Sequence, residues 1–294
     1  MSDFAALTAS RFALGECAIW DERTLRLWWT DIHARRLWRY EPATGVERSW
    51  TLPQRLGCFA LTQEDGVLLL GLEKELVRFD SHGGEMVRLC LVEPERAGTR
   101  INDGRCDRAG NFVFGTLNEA GPGAIGSWYR YSREGVLLRL DLPACRIPNS
   151  LCFSLDGGTL YFADSADKRI LCCDYDATTG ATRHVRLFHD LAARSPASTP
   201  DPDGSVIDAA GGLWNAEWGS GRITRYHPDG RLDRCFEVPA TQPTCPAFGG
   251  HDLDTLFLTS ARAGLDAGEV GADDGAVFAW RDSPWRGVAE AHFG

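Results

Sequence analysis

Four residues with side-chain oxygens occupy one repeated position along the chain, four residues before the last residue of a short strand-like segment. They are Glu16, Asn102, Asn149 and Asp203. Carboxylate and carboxamide oxygens are the ligands that hard divalent cations prefer. If the fold gathers the repeats around one axis, these oxygens form a cation site that leaves positions open for water or substrate, as a catalytic metal requires. For each residue taken alone, the ordinary alternative is that Asn and Asp stabilise turns.

The repeated position belongs to a series of short strand patterns. Runs of Val, Leu, Ile, Trp, Tyr and Phe alternate with Gly, Asp and Asn, and a tight turn separates two such runs in each repeat. An aromatic residue then precedes a second Gly-containing turn, as Tyr40 precedes Gly45 and Tyr226 precedes Gly230. Each repeat therefore predicts a four-stranded antiparallel sheet.

Six such repeats follow one another along the sequence. The residues just before the first turn of each repeat are Trp20, Leu61, Cys106, Phe153, Ile207 and Phe248. Their spacings of 41 to 54 residues predict an all-β, six-bladed β-propeller that forms a single domain over residues 1–294. The Gly-His and Trp-Asp signatures of WD40 repeats do not recur. We expect residues 4–12 to supply the outermost strand of the last blade and so to close the ring of blades.

Composition excludes several classes of protein. The chain has 31 Lys and Arg against 41 Asp and Glu, a net charge of −10, which argues against nucleic-acid and membrane partners. No apolar run approaches the roughly 18–20 residues that span a bilayer, and residues 1–6 do not resemble a secretory signal. The ten cysteines form no C-x-x-C pair, so we expect reduced, mostly buried thiols in a cytoplasmic protein instead of disulfides or a zinc site. The sequence does not indicate an oligomeric state.

Seven short segments, in their order and spacing, resemble the motifs of the SMP-30/gluconolactonase/LRE-like family. They are LGECAIW (14–20), RINDG (100–104), FGTL (114–117), PNSL (148–151), PDGS (202–205), FGG (248–250) and TSAR (259–262). The resemblance covers about residues 13–280 and implies a six-bladed propeller. It also implies a small-molecule substrate, because well-studied members of the family hydrolyse sugar lactones with one divalent cation.

The resemblance assigns roles to individual residues. Glu16, Asn149 and Asp203 match the family's metal ligands, and Asp203 also matches its proposed general base. Three further residues match positions that contact substrate or water, namely Arg100, Asn102 and, with less regular local spacing, Glu119. The chain departs from the family pattern at Cys17, where glycine is usual, and at Ala18, where proline often follows. Both residues are small, so we expect the backbone course to survive.

These residues predict a metal-dependent lactonase acting on an aldono- or aldaro-lactone in carbohydrate catabolism. The cation would polarise the lactone carbonyl, Asp203 would accept a proton from the attacking water, and Arg100 would offer a fork of donors to substrate oxygens. The oxygen donors suit Ca²⁺, Mg²⁺ or Mn²⁺, and Zn²⁺ and Fe²⁺ occupy similar sites. Without an H-E-x-x-H or a G-x-S-x-G motif, zincin and α/β-hydrolase chemistry are disfavoured.

Two alternatives stay open at this point. One is a propeller without catalysis that binds a partner or regulates calcium, since a fold does not dictate a function. The other is a metal-dependent esterase of different substrates, such as aryl esters or organophosphates. Glu217, Trp218, Arg222 and Arg262 are further candidates for the site, without an assigned role.

Overall fold

Short strands account for almost all of the regular structure. The computed structural model describes residues 2–194 and 199–294, and over these residues 24 strands form six antiparallel sheets of four strands each. The strands are β1 (Ala5–Ala6), β2 (Gly15–Asp21), β3 (Arg26–Asp31), β4 (Arg36–Glu41), β5 (Val46–Thr51), β6 (Leu56–Leu61), β7 (Val67–Leu72), β8 (Glu75–Asp80), β9 (Met86–Leu91), β10 (Thr99–Cys106), β11 (Phe112–Asn118), β12 (Trp128–Tyr131), β13 (Leu137–Arg139), β14 (Pro148–Phe153), β15 (Thr159–Asp164), β16 (Arg169–Asp176), β17 (Ala181–Asp190), β18 (Asp201–Ile207), β19 (Leu213–Trp218), β20 (Arg222–Tyr226), β21 (Leu232–Glu237), β22 (Pro243–Gly249), β23 (Thr255–Ser260) and β24 (Phe278–Trp280). The predicted six-bladed β-propeller is therefore confirmed.

Helix is confined to two short pieces of the described chain, a 3-10 helix (Ser165–Asp167) and α1 (Leu191–Arg194). Neither they nor any other described segment forms a helix long and apolar enough to cross a membrane. The Pro-, Ser- and Ala-rich composition from Ala192 to Pro202 predicts a loop between blades 4 and 5. This stretch begins with the end of α1 and ends in β18. Its residues 195–198 lie outside the described part of the chain.

The strands of each blade follow the chain order. Blades 1 to 5 consist of β2–β5, β6–β9, β10–β13, β14–β17 and β18–β21, and blade 6 has the order β22-β23-β24-β1. In blade 6, Ala5 and Ala6 of β1 pair with Ala279 and Phe278 of β24. The N-terminal segment thus supplies the outermost strand of the last blade, as the sequence predicts.

The chain divides into two compact units. Unit 1 comprises Met1–Arg55 and Leu191–Ala289, and so contains blades 1, 5 and 6. Unit 2 comprises Leu56–Asp190 and Glu290–Gly294, and contains blades 2, 3 and 4. That the whole chain forms one domain stays a prediction.

The core of each unit is built from the innermost strands and their neighbours. In unit 1, Trp214, Leu256 and Phe278 are fully buried in one apolar cluster, and in unit 2, Leu160 and Val113 belong to another. The outermost strands alternate between half-buried and exposed residues, as β9 and β21 do. The innermost strands are almost wholly buried, as β6 and β14 are, and such strands are able to hold polar side chains in a fixed position near their starts.

The residues after Trp280, to which the sequence analysis assigns no structure, pack against both units. In unit 1, Trp285 lies edge-on to Trp214, with ring centroids 5.1 Å apart. In unit 2, Phe293 stacks on Tyr131 at 5.7 Å, and its backbone N–H donates to the carbonyl of Leu61 at 2.8 Å. Their aromatic side chains therefore add to the core instead of forming a free tail.

All ten cysteines are free thiols, and eight of them are buried. Burial raises the pKa of the Cys152 and Cys173 thiols to about 12, so these groups stay protonated at neutral pH. Only Cys235 is exposed, while Cys90 is half-buried. The prediction that the thiols are mostly buried is confirmed.

Candidate active site

A β-bulge interrupts the innermost strand of every blade near its start. The strand register shifts between Glu16 and Ile19, Leu56 and Cys58, Ile101 and Gly104, Asn149 and Cys152, Pro202 and Ser205, and Pro243 and Pro246. We call the six residues at or beside these shifts the bulge positions, and they are Glu16, Gly57, Asn102, Asn149, Asp203 and Thr244. A bulge re-aims a side chain out of the regular alternation of a strand. The repeated position of the sequence is thus a repeated structural feature.

In unit 2, the structure brings together four of the predicted site residues: Arg100, Asn102, Glu119 and Asn149. Arg100 is only 6% exposed, and its Nε donates to Glu119 Oε1 at 3.1 Å. Its Nη1 donates to Asn102 Oδ1 and to the carbonyl of Ile101, both at 2.9 Å. Arg100 is therefore tied to its own blade by a carboxylate, a carboxamide and a carbonyl.

The hydrogen bonds continue from Asn102 in blade 3 to Asn149 in blade 4. Asn102 Nδ2 donates to the carbonyl of Pro148 at 3.0 Å and to Asn149 Oδ1 at 3.3 Å. Asn149 Nδ2 in turn donates to Ser165 Oγ at 2.8 Å, in buried surroundings. The two carboxamides are therefore held in one direction, with each oxygen facing back toward Arg100.

Asp103 supports the bulge of β14 from the neighbouring blade. Its Oδ2 accepts the backbone N–H of Leu151 at 2.9 Å, inside the segment where the ladder of β14 and β15 is interrupted. Desolvation raises the pKa of the Asp103 carboxyl, although the Leu151 N–H and the nearby Arg105 act in the opposite direction. The carboxylate thus satisfies a backbone group near the bulge that carries Asn149.

In unit 1, Glu16 and Asp203 occupy bulge positions of blades 1 and 5. Asp203 is 3% exposed, whereas Glu16 is half-buried and its Oε2 accepts the N–H of Cys17 at 3.3 Å. Thr244 of blade 6 donates from Oγ1 to the carbonyl of Gly15 at 2.6 Å. This bond repeats the one from Asn102 to the carbonyl of Pro148 in unit 2. In both cases a bulge residue of one blade holds the carbonyl just before a predicted ligand of the next blade.

The residue after two of the predicted ligands adopts a left-handed backbone conformation. Cys17 has a φ of 51° and Ser150 a φ of 62°. A non-glycine residue there costs about 1–2 kcal/mol, which explains why glycine is usual at the position of Cys17 in the family pattern. Cys17 and Ala18 are both buried, and β2 keeps its pairing with β3 on either side of the bulge.

The further candidates of unit 1 show mainly structural contacts. Glu217 is fully buried at the end of β19, and its Oε1 accepts the hydroxyl of Tyr226 at 3.3 Å. Arg262 Nε donates to the carbonyl of Asp274 at 2.7 Å. Trp218 ends β19, and Arg222 begins β20, where it pairs with Glu217 across the two strands.

The donor set fits a hard divalent cation. Glu16 and Asp203 offer carboxylate oxygens, and the direction of the Asn149 carboxamide presents its oxygen instead of its nitrogen on the side away from Ser165. Oxygen ligands of this kind suit Ca²⁺, Mg²⁺ and Mn²⁺ better than the softer, thiol-preferring metals.

Two contributors escaped the sequence analysis, Ser165 and Asp103. Ser165 follows β15 by one residue and has no motif of its own, because its contact with Asn149 depends on the pairing of β14 with β15. Asp103 stands inside the RINDG motif, yet its partner lies in another blade. Thr244 differs from these two residues, because it stands at the repeated position of the sixth repeat. That position is the signal that could have suggested its contact with Gly15, next to Glu16.

The sequence of this chain is similar to those of known lactonases and matches one family over most of its length. The model of the SMP-30/gluconolactonase/LRE-like region matches residues 14–262. An L-arabinolactonase of Azospirillum brasilense is 44% identical over 98% of this chain and 94% of its own length. A 6-deoxy-6-sulfogluconolactonase of Pseudomonas putida is 36% identical over 91% of each chain.

A solved structure has the same fold as this chain. The calcium-binding protein regucalcin of Agrobacterium tumefaciens superimposes with a TM-score of 0.92 at 33% identity, covering 99% of this chain and 98% of that one. Sequence and fold agree. The chain belongs to the SMP-30/gluconolactonase/LRE-like family.

Proposed function

We propose that this protein hydrolyses the lactone of a sugar acid with the help of one divalent cation. The observation that carries the proposal is that Glu16, Asn149 and Asp203 all occupy bulge positions at the start of innermost strands. Relatives named as lactonases of L-arabinose, 6-deoxy-6-sulfogluconate and pentonate derivatives support it. Within this class, the relative with 44% identity makes an L-arabinonolactone the first substrate to test.

A neutral aldonolactone suits the observed charges better than an aldarolactone does. A second carboxylate on the substrate would need a cationic partner, and the Arg100 guanidinium already faces the Glu119 carboxylate at 3.1 Å. Hydroxyl groups of an aldonolactone need only hydrogen-bond donors and acceptors. Arg100, Asn102 and Glu119 offer both kinds, which suits a polyhydroxylated ring.

In this mechanism, Glu16, Asn149 and Asp203 would hold the cation through their side-chain oxygens. A bound cation would polarise the lactone carbonyl and stabilise the negative charge that develops on its oxygen. Asp203 accepts a proton from the water that attacks the carbonyl carbon, a contribution of about 10²- to 10⁴-fold in rate. The bond between that carbon and the ring oxygen then breaks, and the ring oxygen takes up the proton as the open acid forms.

Arg100 and Asn102 orient the substrate while Glu119 holds Arg100. Because Arg100 donates to both Glu119 and Asn102, its planar group cannot swing freely and its direction is set before substrate arrives. A donor fixed in advance contributes more to a reaction than a mobile one, since no reorganisation is needed when charge develops. Specificity among lactones would then depend on the loops around this pair.

A pH-stat assay with metal-free protein tests the proposal directly. We expect EDTA treatment to abolish the opening of L-arabinono-1,4-lactone above the spontaneous rate, and added Ca²⁺, Mn²⁺, Mg²⁺, Zn²⁺ or Fe²⁺ to restore it to different extents. Unchanged turnover after thorough chelation would contradict metal dependence. Faster hydrolysis of aryl esters or organophosphates than of any aldonolactone would favour the esterase alternative.

Calcium binding without catalysis is the second candidate. Relatives named regucalcin, such as that of Xenopus laevis at 30% identity, and the regucalcin structure described as calcium-binding favour it. The same assay separates the two functions, because a calcium regulator would bind Ca²⁺ and leave every aldono- and aldaro-lactone to open at its spontaneous rate.

A further inference from the structure

The carboxamide of Asn149 has one hydrogen-bond direction that its neighbours impose. Arg100 has only donors, so the atom of Asn102 that accepts from it is Oδ1. Asn102 Nδ2 must then face away, toward the carbonyl of Pro148 and the Asn149 side chain. Its partner on Asn149 is therefore Oδ1, which leaves Asn149 Nδ2 to face Ser165 Oγ at 2.8 Å.

Ser165 accepts a hydrogen bond from Asn149 Nδ2 through its hydroxyl oxygen. It is 4% exposed, so a loss of its hydroxyl would leave an amide N–H in a buried place without that acceptor, which is unfavourable. The backbone of Ser165 has separate partners. Its N–H donates to the carbonyl of Ile147 at 3.0 Å, and its carbonyl accepts the N–H of Lys168 at 3.2 Å.

We propose that Ser165 is a positioning residue that fixes the Asn149 carboxamide with its oxygen available to the divalent cation. The inference rests on the proposed function, since it assumes that Asn149 is a ligand. The NH₂ group of Asn102 decides which end of the Asn149 amide faces it, and the Ser165 hydroxyl anchors the opposite end. Without that hydroxyl the amide loses this second anchor, so its oxygen is held less firmly in the direction that Asn102 sets.

Calcium binding to metal-free protein tests the role of Ser165. Partners that orient a metal ligand from outside the first layer typically contribute 10- to 100-fold in metal affinity. We therefore expect the Kd for Ca²⁺, measured by isothermal titration calorimetry, to rise about 10- to 100-fold in Ser165→Ala. Ser165→Thr keeps the hydroxyl and is expected to bind like the wild type.

Ser154→Ala is the matched control. Ser154 lies at the other end of the same blade, where its hydroxyl bonds to Asp156 Oδ1 at 2.5 Å and accepts the N–H of Thr159 at 2.9 Å. Its loss removes a bonded serine hydroxyl from blade 4 without touching Asn149. We expect this variant to keep the wild-type Kd for Ca²⁺.

Terbium luminescence supplies a reading that a purely structural role would not change. Lifetimes of bound Tb³⁺ in H₂O and D₂O give the number of coordinated waters, and we expect Ser165→Ala to gain about one as the Asn149 oxygen leaves. If Ser165→Ala fails to fold, as judged by circular dichroism, Ser165→Cys keeps a weaker acceptor and should show an intermediate loss of affinity.

The outcomes are distinguishable. A Ser165→Ala protein with the wild-type Kd and water number overturns the role of Ser165 and leaves the proposed function standing. A wild-type protein that binds none of Ca²⁺, Mg²⁺, Mn²⁺, Zn²⁺ or Tb³⁺ overturns both. A weaker Ca²⁺ site in Ser165→Ala, recovered in Ser165→Thr and unaffected in Ser154→Ala, supports the inference.

Discussion

The two ends of the innermost strands differ in how their residues vary from blade to blade. At the end that leads into the first hairpin, the six aligned residues are all buried and apolar: Trp20, Leu61, Cys106, Phe153, Ile207 and Phe248. At the bulge positions of the same strands stand two carboxylates, two carboxamides, a glycine and a threonine. One end repeats a single physical property because every blade must pack, whereas the other end varies from blade to blade, as the proposed cation site requires.

Buried carboxylates occur at both ends, and their partners separate their roles. Asp208 follows the hairpin end of β18, where its Oδ1 accepts the N–H groups of Ala210 and Gly212 and its Oδ2 accepts from Trp214 and Arg225. Asp107 does the same in blade 3, with Ala109 and Asn111. A carboxylate saturated by its own turn stabilises the fold. We propose that Asp203, equally buried at the bulge end, serves chemistry instead.

The largest expected effect is on catalysis at the bulge end. Asp203→Asn keeps the shape of the side chain but removes the base, so kcat for L-arabinono-1,4-lactone should fall about 10²- to 10⁴-fold. The urea unfolding midpoint should stay near that of the wild type. Turnover close to the wild-type value would remove Asp203 from its proposed role and erase the contrast with Asp208.

At the hairpin end we expect a loss of stability without a loss of catalysis. Asp208→Ala leaves the buried Arg225 and two turn N–H groups without this acceptor, which should lower the free energy of unfolding by about 3–5 kcal/mol. Its kcat per folded molecule should be unchanged. Asp229→Ala, in an exposed turn where the carboxylate pairs with Arg231, is the control and should leave the unfolding midpoint in place. A loss of kcat with intact stability in Asp208→Ala would contradict the division between the two ends.

Alkaline pH tests the packing of blade 4, where Cys152 lies in β14 and Cys173 in β16. The unfolded Cys152 and Cys173 thiols ionise near 9.0, but burial raises their folded pKa to about 12. Their contribution to stability is complete below pH 9 and is lost as the pH rises toward 12, by about 1.4 kcal/mol per thiol for each pH unit. Urea denaturation between pH 7 and pH 10.5 should show this decline. The double variant Cys152→Ala/Cys173→Ala should show a shallower one, and equal slopes would contradict the account.

The smallest effect is expected at Gly57, a bulge position whose residue has no side chain that could bind a ligand or transfer a proton. A Cβ there would lie 2.4 Å from the carbonyl oxygen of Ile101 and 2.7 Å from that of Asn102. Gly57→Ala should therefore cost about 1–3 kcal/mol of stability and raise KM, because it pushes on the strand that carries Arg100. Gly121→Ala, with nothing within 4 Å of the added Cβ, is the control. Unaltered stability and KM in Gly57→Ala would show that this strand has room to move.

The sequence predicts the ends of the innermost strands, the N-terminal strand and the repeated position, and each prediction has a physical reason. Hairpin turns and buried strand residues are set by local composition, so the six aligned residues from Trp20 to Phe248 all end their innermost strands or lie one residue from that end. The N-terminal strand β1 followed from the need to cover an edge. The bulge position was visible because it keeps a constant distance from those residues.

The rest depended on contacts between distant parts of the chain. The sequence around Ser165 has no motif that predicts its contact with Asn149, which arises because β15 pairs with β14. The contact of Asp103 was also not predictable from its own repeat, because its partner Leu151 lies in blade 4. The packing of Trp285 and Phe293 likewise depends on which blades they reach. The sequence thus marks the candidate ligands by their repeated position, whereas the residues that contact those ligands become visible only in the fold.

The central claim is that Glu16, Asn149 and Asp203 bind one cation, and locating that cation tests it most directly. Crystals of the protein soaked with Mn²⁺ and measured at the manganese absorption edge would show the ion as an anomalous peak. We predict one peak whose ligands are side-chain oxygens of these three residues, with metal–oxygen distances of about 2.0–2.6 Å. A peak bound elsewhere, with the three side chains making no contact to it, would contradict the account.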